Sequence, residues 1–195
     1  MTAASLIFLW MEDEVSYDEF PNKENSYIVK SKQTFDGISN VFDGVPGLLG
    51  PAIKEEIPGI KYAARVAWKQ SSLFSVDDQG IYQKGYYAEP DFMDIFALQF
   101  VEGDRATAIK KPNDLVTTQS TAERLFGKEP ALGKTVRIDN KDNHLISGVV
   151  KDLPKNSTYQ FDWLAPFEAY ENQQQLMVRQ WLNFSLMTFV PSLGG

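Results

Sequence analysis

Asp91-Phe92-Met93-Asp94-Ile95-Phe96 opens the stretch that decides the fold, and Phe100-Val101-Glu102-Gly103-Asp104 continues it. Asp114-Leu115-Val116-Thr117-Thr118 and Ala122-Glu123-Arg124-Leu125-Phe126-Gly127 come next. Leu132-Gly133-Lys134-Thr135-Val136-Arg137-Ile138 and Gly148-Val149-Val150-Lys151-Asp152-Leu153-Pro154 close it. Leu115 to Thr117 is apolar and β-branched, which reads as a strand. Thr118 or Ser120 can cap a following helix, because a hydroxyl satisfies a free N–H of the first turn. Ser120 and Glu123 have the spacing of a capping box. Ala122, Leu125 and Phe126 fall on one helical face, and Gly127 suits the helix end. Lys134–Asp139 and Leu145–Lys151 read as strands flanking a polar turn, Asn140-Lys141-Asp142-Asn143. Phe92, Ile95 and Phe96 stand at i, i+3 and i+4, the spacing of a core-facing helix.

Outward from this centre, Ser26–Ser31 reads as a strand and Phe35–Gly47 as irregular chain. Pro51–Ile57 reads as a helix with Ala52, Ile53 and Ile57 toward the core, stopped at Pro58-Gly59. Tyr62–Trp68 reads as a strand. Leu73–Val76 and Ile81–Tyr87 form a hairpin across Asp77-Asp78-Gln79-Gly80, since acidic residues before glycine favour turns. Phe167–Met177 reads as a helix with a polar face, and Trp181–Val190 as an aromatic strand.

Composition narrows the function. A chain of 195 residues holds one or two small domains and needs no covalent staples. Its net charge of −7 disfavours nucleic acid and anionic lipid as partners. With no cysteine, thiolate metal sites, disulfides and cysteine catalysis are excluded. A Ser-His-Asp hydrolase would depend on one histidine, His144, which the reading places in a hairpin turn. The acidic run Glu12–Phe20 lacks the order and central glycine of a calcium loop, and reads as a solvated face. Asp77 and Asp78 read as turn formers rather than metal ligands. Gly133-Lys134-Thr135 is not a phosphate loop. Five residues separate it from Gly127, where the motif needs four, and it leads into a strand instead of a helix. Aromatic residues make up 13% of the chain, but at strand and helix-face positions they read as core, not as a sugar platform. No catalytic, cofactor-binding or metal-binding residue is assigned. Leu6-Ile7-Phe8-Leu9-Trp10-Met11 is too short to span a bilayer and reads as the end of a membrane helix with Trp10 at the interface.

The order Phe92, Phe96, Gly103-Asp104, Pro112, Val116, Ala122, Leu125-Phe126-Gly127, Pro130, Leu132-Gly133-Lys134, Gly148-Val149 and Asp152-Leu153-Pro154 resembles the periplasmic core domain of MacB-like ABC transporter permeases. That family includes FtsX-like and LolC/E-like permeases. Asp13-Glu14-Val15-Ser16-Tyr17-Asp18-Glu19-Phe20 is similar to the segment that follows the family's first membrane helix. The resemblance runs from Leu6 to about Phe167 and fades beyond.

The resemblance implies an α+β chain of two lobes, a porter-like lobe with an inserted strand-rich lobe. Residues 1–21 would be the end of a membrane helix and its juxtamembrane segment. Residues 22–69 plus 157–195 would form the porter-like lobe, incomplete because a family member continues further before its second membrane helix. Residues 70–156 would be the insert. The implied function is that of a non-catalytic periplasmic part of an inner-membrane permease. It would couple ATP-driven motion to a periplasmic substrate or partner in export, efflux or lipoprotein release. The implied partners are an ABC ATPase subunit, reached through the parent's membrane and cytoplasmic parts, and a periplasmic adaptor or lipoprotein, with a dimeric parent. The competing reading is a ligand-binding sensor domain of a membrane receptor, which would show a pocket with convergent polar groups. A carbohydrate-active module would instead show exposed coplanar aromatics.

Overall fold

The computed structural model of the chain describes residues 26–77 and 79–191. The expectations for residues 1–25, including the membrane-helix end and the acidic run, lie outside the described residues. So do those for Asp78 and residues 192–195.

The chain is α+β. Its strands are β1 (Ser26–Ile28), β2 (Ser31–Phe35), β3 (Ile38–Phe42), β4 (Ala64–Ala67), β5 (Gln70–Val76), β6 (Gln79–Ala88), β7 (Phe100–Gly103), β8 (Asp114–Thr118), β9 (Thr135–Ile138), β10 (Asp142–Val150), β11 (Trp163–Pro166) and β12 (Leu186–Pro191). Its helices are α1 (Leu49–Glu56), α2 (Asp91–Ile95), α3 (Gln119–Phe126), α4 (Phe167–Gln173) and α5 (Gln175–Val178).

Ten strands form one sheet in the order β1-β12-β4-β6-β11-β8-β10-β9-β5, with β7 on β10. Because β5 also pairs with β6, the run from β6 to β5 closes into a barrel. The rest, β4, β12 and β1, continues as an open sheet. β6 is long enough to serve both parts. Gln79–Gly85 pair along the whole of β5, while Gly85–Ala88 pair in parallel with β11 and Ala88 meets Val66 of β4. β11, from the C-terminal part of the chain, is likewise a barrel stave.

Side chains alternate across a strand, so one sheet has two cores. Tyr86, Val116, Val150, Leu164, Met187 and Phe189 lie on one face, covered by Phe92, Met93, Ile95 and Phe96 of α2 and its C-terminal end. Phe92 and Phe96 stack with ring centroids 4.3 Å apart. On the opposite face Phe74, Leu115, Val136, Ile138, Ile146 and Trp163 fill the barrel. The same cluster runs on under Phe167 of α4 and Val178 of α5. Strand β11, Trp163-Leu164-Ala165-Pro166, is buried on both faces, as a parallel-paired strand should be. The Trp163 indole N–H donates to the Gln83 carbonyl at 3.2 Å. Gly85 lies against it, and any side chain there would collide with the Trp163 carbonyl and indole.

Most expected elements are present: β8, α3, β9, β10, the β5–β6 hairpin, β4 and the core positions Phe92, Ile95 and Phe96. Several expectations are corrected. Phe35–Gly47 is not irregular: β2 and β3 pair across Asp36-Gly37, with φ of 49° and 80°. Two consecutive positive φ angles define the primed turn that Asp-Gly favours in hairpins. The β9–β10 turn is tighter than expected, with Asp139 and Asn140 both at positive φ. The capping box does not form. Asp152 Oδ1 reaches in from after β10 and accepts both the Ser120 N–H at 3.1 Å and its hydroxyl at 2.8 Å. Ile57 is exposed, because α1 ends one residue earlier and the chain leaves in extended geometry. The Phe167–Met177 helix breaks at Gln174, whose ψ of 29° separates α4 from α5 and lets Val178 turn inward. The last strand starts only at Leu186, where pairing with β4 begins, leaving Trp181 and Leu182 exposed.

Candidate functional site

His144 sits within β10 opposite Val136, not in a turn, and is 7% exposed. It lines a small cleft at the barrel's side with Gln70, Tyr87, Asp139, Asp142 and Gln173. Burial holds the imidazole below its ordinary pKa, against the opposing pull of the Asp142 carboxylate. Burial also raises the Tyr87 phenol, helped by Asp139 and Asp142. Burial therefore favours the neutral imidazole. Its Nδ1 has no hydrogen-bond partner among the described residues. A general base of a nucleophilic triad is instead held by a hydrogen bond to an orienting carboxylate.

The other charged clusters bind the fold to itself. Arg65 of β4 donates from Nε and Nη2 to Glu89 Oε1 at 3.0 and 2.7 Å, and Glu89 Oε2 accepts the Arg65 backbone N–H. Its guanidinium lies 4.5 Å from the Phe167 ring centroid and 3.6 Å from Glu171. This clamp fixes α4 to β4, the strand of the open sheet next to the barrel. Arg124 of α3 donates from Nη2 to Thr121 Oγ1, Gln83 Oε1 and Asp162 Oδ1, and Asp162 Oδ2 accepts the Lys84 N–H. That set joins α3 to β6 and the entry of β11.

The residues that carry the resemblance have structural roles of the same kind. Phe92 and Phe96 are core. Glu102 Oε2 accepts the N–H groups of Ala131 and Leu132 and so fixes the loop through Pro130-Ala131-Leu132-Gly133. Gly133 turns at positive φ into β9. Asp152 caps α3. Gly133-Lys134-Thr135 enters a strand, as expected, and Lys134 pairs with Glu129. Asp77 lies in the β5–β6 turn. Ala122, Gly127, Pro130 and Val149 line one open cleft with Glu102 and Glu123, and the others are spread over turns, caps and core. No group of three or more His, Cys, Asp or Glu side chains among the described residues is placed to hold a metal. No helix among them is long and apolar enough to cross a membrane.

The largest feature that the sequence reading missed is on the surface. The β2–β3 hairpin stands apart from the ten-stranded sheet, and every residue of β3 is exposed. Val41 and Phe42 line a groove with Trp68, Phe184 and the Lys30–Asp43 ion pair, which closes at 2.9 Å. The available signal was the Asp36-Gly37 turn between two β-forming runs.

The family model for the MacB-like periplasmic core domain matches residues 1–188. The chain belongs to that family. A crystal structure of a domain from Porphyromonas gingivalis, assigned to a permease protein, is 30% identical with a TM-score of 0.78, covering 91% of this chain and 76% of that one. The periplasmic region of MacB from Actinobacillus actinomycetemcomitans has a TM-score of 0.59 at 16% identity, covering 86% of this chain and 75% of that one. The extracellular domain of the ABC-type transporter YknZ from Gram-positive bacteria gives 0.58 at 18%, covering 78% and 75%. At those two identities the likeness is one of fold. No curated protein matches the sequence. As a MacB-like periplasmic core domain, the chain is an extracytoplasmic part of an ABC transporter permease.

Proposed function

We propose that this domain is a non-catalytic coupling element, carrying ATP-driven motion of the permease to a periplasmic substrate or partner. One observation supports the reading above others. Ser26 of β1 pairs with Pro191 of β12, so the first and last described residues lie side by side at one end of the open sheet. Displacement applied there passes through β12 and β4 to β6, which is itself a stave of the barrel. Hydrogen-bonded ladders and a close-packed core move as a unit rather than deform locally. The two lobes of this reading are residues 22–69 plus 157–195 and residues 70–156, with β6 and β11 as the seam. The charged clusters fit this role, since Arg65 ties α4 to β4 and Arg124 ties α3 to the entry of β11.

In this reading the parent is a dimeric inner-membrane protein that works with an ABC ATPase and engages a periplasmic adaptor or lipoprotein in efflux or lipoprotein release. The test is to purify the full-length parent from native membranes and identify what accompanies it. Recovery of a nucleotide-binding subunit with ATP hydrolysis is the expected result. Recovery of a kinase or regulator, or of no ATPase, would overturn the coupling reading and favour a sensor.

A further inference from the structure

We propose that β3 is an interface strand that pairs antiparallel with β3 of a second copy of this chain. The hairpin register sets the geometry. Phe35 pairs with Ile38 across the two-residue turn, and such a turn closes with a hydrogen-bonded pair. Hydrogen-bonded and non-bonded pairs alternate in an antiparallel ladder, so Gln33–Asn40 is also a bonded pair. Asn40 therefore turns its N–H and C=O toward β2. Ser39 and Val41 turn theirs outward, to an edge that pairs with no other strand among the described residues.

Strand edges are commonly protected by lysine, proline, a charge or short length. β1 has only three residues, β7 carries Glu102 and β2 carries Lys32. β3, Ile38-Ser39-Asn40-Val41-Phe42, has none of these. Ile38 is 66% exposed, Val41 60% and Phe42 45%.

A second copy is the occupant because the strand is complementary to itself. With Asn40 opposite the partner copy's equivalent asparagine, the outward groups of Ser39 meet those of Val41 in the other copy, and the reverse. The ladder is then satisfied on both sides of a two-fold axis. In this register Ile38 lies opposite Phe42 of the other copy, forming an apolar cross-strand pair at each end. The strand is also uncharged in a chain of net charge −7, so two copies can meet here without bringing like charges together. Asp43, the carboxylate next to Phe42, already pairs with Lys30. A five-residue strand pair buries less than the roughly 1,200 Å² of a stable interface. Trp68 and Phe184, beside Val41 and Phe42 in the groove, extend the apolar area. Tethering two copies within a paired permease would raise the local concentration further. The biological setting rests on the paired-permease reading, but the test uses this chain alone, so either can fail without the other.

The chain has no cysteine, so an introduced one reports on itself only. Opposed residues of a non-bonded antiparallel pair have Cα atoms about 4.5 Å apart, within the range a disulfide spans. The experiment compares oxidative cross-linking of three purified variants: Asn40→Cys, Tyr82→Cys as an exposed strand position elsewhere, and Asn40→Cys with Ile38→Lys. The expected result is a covalent dimer for Asn40→Cys, its loss on adding Ile38→Lys, and little dimer for Tyr82→Cys. Thermal unfolding of all three should be unchanged, since these side chains lie outside the core clusters. Cross-linking of Asn40→Cys no faster than of Tyr82→Cys, or insensitive to Ile38→Lys, would overturn the proposal.

Discussion

The β5–β6 and β2–β3 hairpins start from the same ingredients and end in opposite situations. Both are antiparallel, both turn through an aspartate at positive φ, and both are rich in aromatic and β-branched residues. β5 pairs with β9 and closes the barrel, and its Phe74 is wholly buried, with its ring 5.9 Å from that of Trp163. β3 pairs only with β2 and exposes every residue. Turn chemistry and strand propensity make a hairpin. What its faces then meet is decided by strands far away in the sequence.

Three substitutions would sharpen or break this contrast. Trp163→Ala, at the centre of the barrel, should lower stability by about 3–5 kcal/mol, because it removes a large buried side chain and leaves a cavity. A loss below about 1 kcal/mol in denaturant unfolding would mean that the barrel interior is not the close-packed core described here. Asp152→Ala removes the carboxylate that caps α3 from outside the helix, and about 1 kcal/mol is expected. Restoring that stability with a glutamate at 152 would show that the carboxylate and not the local sequence is what matters. Ile38→Ser on the hairpin should change stability by less than about 0.5 kcal/mol, since the residue has no core contact to lose. A loss as large as that of Trp163→Ala would show that the hairpin belongs to the folding core and would erase the distinction.

The barrel's strands, though not their closure, were legible in the sequence because strands alternate and helices keep their spacing. Leu115 and Val116 had to lie on opposite faces, and Phe92, Ile95 and Phe96 on one. The Asp36-Gly37 hairpin carried a readable turn signal, but a glycine-containing segment without a buried face resembles irregular chain. His144 was misplaced because the β9–β10 turn closes tightly at Asp139-Asn140, which moves Asp142 onward into strand β10. The capping of α3 was misassigned for a different reason. Ser120 and Glu123 have the right local spacing, but a carboxylate thirty-two positions away offers a better acceptor. Local spacing cannot represent that competition.

The sequence by itself determined the α+β class, most of the strands and helices, and the family, because periodicity, turn residues and motif order are local properties of the chain. Only the tertiary structure decided that β5 closes on both β6 and β9, that β6 joins the barrel to the open sheet, and that β3 is left uncovered. Those outcomes depend on pairings between distant segments. Hydrogen-bond register and the fit of side chains such as Trp163 against Gly85 select among the strand orders that the same local pattern would allow.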